Sequence, residues 1–266
     1  MPVLLKFFED PSNIGVTASR DDGRNASFFI PKRLEGSNAF GPLVKRLRET
    51  TSNTAAVAAS QLTDLSAEGW KKQFPATVRP LAAPWQQLQG GAMDNLRQLD
   101  MRRADLLSNG PKIPPGTTDG EKLRLTFSHD IQNAQTVAML TPMQPSALIS
   151  AVIGNRELGS LALATPSLRA KLPGDIVERL EQDVMERTLA DQYARQLPKV
   201  KPSYEAPLAD APDVDAAKAA ARQAMAAFDV SRDEIAAVEM VLKSAVDFVA
   251  ILGDVSRAEA FGLLNG

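Results

Sequence analysis

Residues 231–253, SRDEIAAVEMVLKSAVDFVAILG, carry the clearest structural signal in the chain. Apolar side chains recur there every three or four residues, which is the spacing of one face of an α-helix. This apolar seam consists of Ile235, Val238, Leu242, Val246, Val249 and Leu252. Ser231 and Glu234 form the pattern of a capping box in front of the seam, and Gly253 follows it. The stretch predicts a helix with one buried face, and we therefore expect a mainly α-helical fold of several packed helices.

A second helix is predicted just upstream, over residues 213–228, where the apolar stripe is made largely of alanine. Small side chains allow two helix axes to approach closely. Ser256 and Glu259 repeat the capping pattern and predict a last short helix that ends near Leu264. We expect residues 213–266 to form a C-terminal, Ala-rich helical hairpin.

Four prolines interrupt the chain within residues 198–212, and apolar periodicity is almost absent there. Proline-rich segments are stiff and extended. The segment is therefore predicted to be a linker or surface strap, and it is the best position for a domain boundary.

Residues 41–197 are predicted to form a helical main domain. Helical spacing is strongest over residues 85–109 and 173–196. Pro75, Pro80 and Pro84 predict a stiff connector, because proline lacks a backbone N–H and interrupts regular elements.

Residues 122–127 are ambiguous within that domain. Leu123, Leu125 and Phe127 alternate as they would in a strand, whereas the residues that follow recur as in a helix. We expect a helix for the second half of residues 121–140 and leave a short strand open for the first half.

Residues 1–40 differ from the rest of the chain because they hold five of the ten phenylalanines. Short apolar runs at residues 3–8 and 27–30 are separated by turn-forming residues. A small β element or an extended arm is predicted. Such a segment either packs on its own helices or reaches a neighbouring subunit, and the pattern does not choose between the two.

The chain has 266 residues, no cysteine and one histidine. Absence of cysteine excludes disulfides, thiolate nucleophiles, iron–sulfur clusters and cysteine-based zinc sites. A single histidine excludes sites that need two imidazole ligands. We predict no cofactor, no bound metal and no enzymatic activity.

Charge gives little support for nucleic-acid binding, although such contact stays an option. Residues 1–80 carry 11 basic and 8 acidic side chains, and residues 201–266 carry 6 basic and 11 acidic ones. A nucleic-acid surface calls for a clustered basic face. The nearest cluster, Lys45, Arg46 and Arg48, is diluted by Glu49.

Two groups of residues could in principle take part in catalysis or metal binding, but their sequence context favours a structural role. His129 stands between Ser128 and Asp130, but neighbours on a helix point about 100° apart, so the three do not form a triad. Glu178 and Glu181 share a helix face and could hold a divalent ion. Arginines interleave with these carboxylates, as on a solvated face with local ion pairs.

The N-terminal residues lack the basic region of a signal peptide, and no stretch reaches the roughly 20 apolar residues of a membrane span. We expect no membrane span, and a location in a virion or in the cytoplasm of a bacterial host.

Aromatic and aliphatic side chains are the candidate contacts with partners, although tryptophans beside a connector more often pack on their own core. They lie in the Phe-rich start of the chain, beside the proline connector and at the C-terminus. The candidates are Phe7, Phe8, Phe28, Phe29, Trp70, Trp85, Phe261, Leu263 and Leu264.

In overall make-up the chain resembles structural and assembly proteins of tailed bacteriophages, a likeness of composition rather than of aligned residues. It implies a non-enzymatic virion or morphogenesis protein that associates with copies of itself and with other structural proteins through helix packing and arm exchange. Two alternatives stay open. One is a secreted bacterial effector or helical adaptor or chaperone whose first 40 residues are dispensable for folding; the other is a carboxylate-dependent metal enzyme.

Overall fold

The computed structural model describes residues 3–111, 113–114, 116–197, 199–200 and 211–266. The three strands are β1 (Val3–Glu9), β2 (Asn13–Arg20) and β3 (Asn25–Pro31). The helices are α1 (Lys32–Glu35), α2 (Gly41–Asp64), α3 (Ala67–Val78), α4 (Ala82–Leu107), α5 (Asp119–Leu140), α6 (Pro145–Val152), α7 (Arg156–Ala164), α8 (Pro166–Arg169), α9 (Gly174–Gln196), α10 (Val214–Gly253) and α11 (Arg257–Asn265), with a 3₁₀ turn at Arg79–Leu81. The predicted mainly α-helical class is confirmed.

The chain divides into two compact units. One consists of Met1–Gln98 together with Val230–Gly266, and the other is Leu99–Asp229. This division differs from the segments expected from the sequence, because both ends of the chain contribute to one core. The unit boundaries fall inside the long helices α4 and α10 rather than in the proline-rich segment.

Residues 3–31 contribute an antiparallel sheet with strand order β1-β2-β3. Val16 in β2 stands opposite Phe7 on one side and Phe28 on the other. Val16, Phe28 and Ile30 are buried in the core of the chain's own first unit. The predicted β element is therefore confirmed, and the alternative of an extended arm is wrong, because its apolar side chains are covered by the same chain.

The C-terminal end of α10 is held by side chains from elsewhere in the first unit. Arg20 donates from Nε to the carbonyl of Ile251 (2.6 Å) and from Nη2 to that of Leu252 (3.4 Å). The indole N–H of Trp70 also donates to the Leu252 carbonyl (3.3 Å). These carbonyls have no partner within the helix, so the side chains satisfy acceptors that would otherwise be buried and unbonded.

Gly253 lets this helix end pack directly on an aromatic ring. A Cβ atom at residue 253 would lie 2.1 Å from the ring of Phe74. Phe74 is buried and cannot retreat, and its ring also packs against Trp70 with a centroid separation of 5.6 Å. Only glycine fits this position.

Asp254 follows the helix with a positive φ of 57°, and it joins the helix end to the sheet. Its carboxylate lies 2.7 Å from Arg24 and 3.4 Å from Arg20. The hydrogen bond from Arg24, reinforced by the charge of Arg20, lowers the pKa of Asp254.

The second unit is built from two apolar clusters. The larger contains Leu140, Leu148, Val152, Ala162, Leu163, Leu168, Leu172, Leu180 and Val184. The smaller contains Leu106, Met185, Leu189, Ala221 and Phe228. Helix α9 contributes to both clusters, so it is the central element of this unit.

The predicted C-terminal hairpin is wrong, because its two helices form the single helix α10. Residues 226–237 contain neither glycine nor proline, so nothing interrupts the backbone ladder. The capping pattern at Ser231 and Glu234 lies inside this helix, where such residues are tolerated at small cost. The final short helix and its capping box at Ser256 and Glu259 are confirmed.

The predicted connector over residues 75–84 is also wrong, because the chain stays helical through it. Pro75 lies inside α3, Pro80 in the 3₁₀ turn and Pro84 in the first turn of α4. A first turn leaves its N–H groups without helical partners, so proline costs little there.

The strand left open at residues 122–127 is absent, and α5 begins at Asp119. Thr118 caps the helix by accepting a hydrogen bond from the Glu121 amide, and the Glu121 side chain accepts one from the Thr118 amide. This capping box starts the helix upstream of the alternating residues.

The predicted linker over residues 198–212 lies mostly outside the described residues. At its described ends, Lys199 and Pro212 form an isolated antiparallel bridge, and the Val200 amide donates to the Ala211 carbonyl (3.0 Å).

We predict opposite effects for two glycine-to-alanine substitutions in the first unit. Gly253→Ala should lower the free energy of unfolding by about 3 kcal/mol, because the added methyl group collides with Phe74. Gly90→Ala, in open space on α4, should raise it by about 0.5–1 kcal/mol. Urea denaturation checks both; equal effects would contradict the packing described at Gly253.

Neutralising Asp254 should reduce the acid sensitivity of the first unit. A carboxylate whose pKa is lowered in the folded state stabilises it above the unfolded pKa and loses that contribution as pH falls below about 4. In Asp254→Asn, the difference between the free energies of unfolding at neutral and acidic pH should shrink. Asparagine also tolerates the positive φ. The difference should shrink more in Asp254→Asn than in the control Asp64→Asn, which removes an exposed carboxylate at the end of α2.

Candidate interaction surface

Helix α5 uses only one of its faces to pack on its own unit. Leu140 is buried, and His129, Asn133, Thr136 and Val137 are partly buried. These residues lie on one side of the helix at 3.6 residues per turn. Most of the remaining surface of this 22-residue helix is exposed.

The opposite side of α5 carries a row of exposed apolar side chains. Leu123, Phe127 and Ile131 are 74%, 66% and 43% exposed. Ala134 and Ala138 continue the row and are exposed as well. Spacings of four, four, three and four residues place all five on one face, which we call the α5 stripe.

The α5 stripe is a second apolar face of the helix, in addition to the inward face through Val137 and Leu140 that a surface helix normally has. Isolated exposed apolar residues are normal on proteins, whereas a contiguous row marks a contact surface. Arg124 and Asp130 lie at the two edges of the stripe, and residues 131–140 carry no charge. The face is thus suited to burial against another apolar surface.

Sequence reasoning detected the helical periodicity of α5 but missed that one of its apolar rows is exposed. A row at helical spacing normally indicates the face that packs on the core. The available signal was a second apolar row on the same helix, through Val137 and Leu140, and only one of the two could face inward.

The structure disperses the nine side chains predicted to contact partners. Phe28, Trp70, Trp85 and Leu264 are buried in the core of the first unit, where they cannot reach a partner. Partly buried are Phe8, Phe29 and Leu263. Phe7 and Phe261 are exposed by 52% and 43%, so their contact with a partner stays a prediction.

Both tryptophans fix elements of their own unit. Besides the bond from Trp70 to α10, the Trp85 indole donates to the carbonyl of Leu242 (3.2 Å). Phe261 packs edge-on against Trp85 with a centroid separation of 5.5 Å. Their amphipathic rings connect α3 and α4 to the C-terminal helices.

His129 lines a polar cavity of about 320 Å³ in the second unit. Its Nδ1 lies 3.0 Å from the side-chain amide of Asn133, which accepts a hydrogen bond from Asn109 (3.1 Å). Ser128 and Asp130 are exposed on other sides of α5 and do not line the cavity. The histidine thus belongs to an amide network, and Ser128 and Asp130 do not form a triad with it.

The carboxylates of α9 are used in ion pairs. Glu181 is only 8% exposed and is bonded by Arg103 and by Arg169. Glu178 is exposed and lies outside this pair of contacts. Among the described residues, no group of three or more acidic or histidine side chains could hold a metal ion.

Two of the three residues of the basic cluster make contacts with other side chains of the same chain. Arg48 pairs with Glu35 (2.5 Å), and Arg46 donates to the side chain of Gln87 (2.9 Å). Intramolecular pairing of this kind reduces the positive potential that a nucleic acid would meet.

No protein-family model, curated protein or solved structure matches the chain. Within the described ranges, no helix combines the length and the apolar character needed to cross a membrane.

We predict that the Glu181 ion pairs stabilise the second unit. Glu181→Gln should lower the free energy of unfolding by about 1–2 kcal/mol, because two arginines lose their partner while staying partly solvated. The matched control Glu178→Gln, on the same helix, should change it by less than about 0.5 kcal/mol. Equal losses in the two variants, measured by urea denaturation, would show that the pairing contributes nothing.

Proposed function

We propose that this chain is a non-enzymatic structural component of a multi-subunit assembly and that it associates with further copies of itself through the α5 stripe. The observation that supports the proposal is the row Leu123, Phe127 and Ile131, exposed on a helix whose other face is already packed. Leaving this row in water costs free energy that a partner recovers.

A second copy is the partner that suits this face. In a two-fold contact each residue of the patch faces a residue of the identical patch, so a neutral patch is paired with a neutral patch. The α5 stripe contains no charged residue, and its C-terminal half has none beside it. A partner of different composition gains no charge complementarity from such a neutral face.

The expected affinity is modest. Burying a Leu, Phe or Ile side chain contributes about 1.5–3 kcal/mol, and association costs roughly 4–15 kcal/mol in lost freedom. One helix face is also smaller than the roughly 800 Å² that a stable interface buries on each partner. Association should therefore depend on concentration and be completed by further contacts within a larger assembly.

The finer assignment to a bacteriophage virion or its morphogenesis rests on composition and stays a prediction. Residues 3–31 pack on their own unit, which gives no support to the arm exchange in this hypothesis. An adaptor with a dispensable N-terminal segment fits less well for the same reason. The ion pairs of Glu181 give no support to the metal-enzyme alternative.

The test is the mass of the full chain in solution, measured by light scattering across concentration. The wild-type protein should pass from monomer to dimer in the micromolar range. The double variant Leu123→Gln, Phe127→Gln should weaken association at least tenfold, because it removes the two most exposed of the three large apolar side chains of the stripe.

Met101→Gln is the matched control for this measurement. Met101 is also an apolar helix residue of the second unit, is 65% exposed and lies outside the stripe. It should associate like the wild type. A chain that stays monomeric to several hundred micromolar, or a control that weakens association equally, would refute the proposal.

A further inference from the structure

The side chains of the α5 stripe are ordered by size along the helix. The large residues Leu123, Phe127 and Ile131 occupy the N-terminal part, and Ala134 and Ala138 occupy the C-terminal part. Gly120, one turn before Leu123, lies on the same face. A partner surface must therefore have a recess for the large side chains at one end of the stripe and larger side chains of its own against the alanines at the other end.

We infer that two copies of α5 pair antiparallel, with the two-fold axis between Asp130 and Ile131; this rests on the self-association proposed above. In that register, residues equally distant from the axis face each other. Leu123 then stands opposite Ala138 of the second copy, and Phe127 opposite its Ala134. Every large side chain before the axis meets a small one, which permits close and uniform packing.

The parallel arrangement lacks this complementarity. It places Leu123 and Phe127 opposite their own counterparts, and each alanine opposite an alanine. The helices would be forced apart at one end and would leave a gap at the other, and both overpacking and voids are unfavourable in an interface.

The charged residues at the edges of the stripe also affect how strongly an antiparallel pair associates. In an antiparallel two-fold pair, equivalent edges lie on the same side of the interface. The two Asp130 carboxylates then meet next to the axis, whereas Arg124 lies on the other edge beside Gln135 of the partner copy. Like charges across an interface oppose association. Asp130 thus limits the affinity of the pair and makes it salt-dependent.

Because the chain has no cysteine, introduced cysteines report the register directly. Single variants at residues 123, 131 and 138 are oxidised under mild conditions at a concentration where dimer is present, and are separated without reductant. Ile131→Cys should cross-link to itself, because it adjoins the axis. Leu123→Cys alone and Ala138→Cys alone should not, since equivalent atoms lie about 22 Å apart along the helix. An equal mixture of the last two should cross-link.

The outcomes separate this inference from the proposal on which it rests. Cross-links in each single variant would establish a parallel pair and overturn the inference, while self-association would stand. A dimer by light scattering that cross-links at none of the three positions would place the interface elsewhere and overturn both the register and the role of the stripe. A monomer at all concentrations would refute the proposed function itself.

Asp130→Asn gives an independent measurement without cysteine. Removal of the two facing charges should strengthen association several-fold at low salt and reduce its dependence on salt. Arg124→Gln is the matched control, because it neutralises the opposite edge and should not strengthen association. Unchanged or weaker association of Asp130→Asn would contradict the predicted meeting of the two carboxylates.

Discussion

The first unit depends on how the C-terminal end of α10 is bonded. The last carbonyls of a helix lack partners within it, and here they lie in the protein interior. Arg20 from the sheet and Trp70 from α3 donate to these carbonyls, and Gly253 gives the backbone access to the ring of Phe74. One short stretch of backbone thereby joins a strand, a helix and an aromatic side chain. Loss of both donors, Arg20 and Trp70, would leave the buried Leu252 carbonyl unbonded, which costs more than an average hydrogen bond contributes.

This bonding explains why the two ends of the chain belong to one unit. The sheet has one buried face, formed by Val16 and Ala18 on the central strand and by Phe28 and Ile30 on β3, and these apolar side chains need a cover from the rest of the unit. Helix α10 supplies Val241, Ala245 and Phe248 as part of the cover. Residues 99–229 form a separate unit between these segments, so the first unit closes only when distant parts of the chain meet.

Helix α5 carries one apolar row on its inward face and another on its outward face. Its polar residues, including His129 and Asn133, face a cavity of the second unit, while the α5 stripe faces outward. The exposed stripe adds little to the stability of a single folded chain. In the proposed assembly it would serve as a contact surface without any rearrangement of the helix. The stripe is uncharged and graded in side-chain size, which are the two properties that favour a second copy as its partner.

The sequence by itself determined the helical class and most helix positions, because apolar spacing and capping patterns act within a few residues. It also predicted the β element at the N-terminus and the final capped helix. Tertiary structure decided what depends on distant contacts: that Trp70 and Trp85 are buried, that Pro75 remains helical, and that α10 runs unbroken through Ser231. Tertiary structure also decided which of the two apolar rows of α5 faces inward. Periodicity shows that a face is apolar, whereas packing against residues far away in the chain determines whether that face is covered.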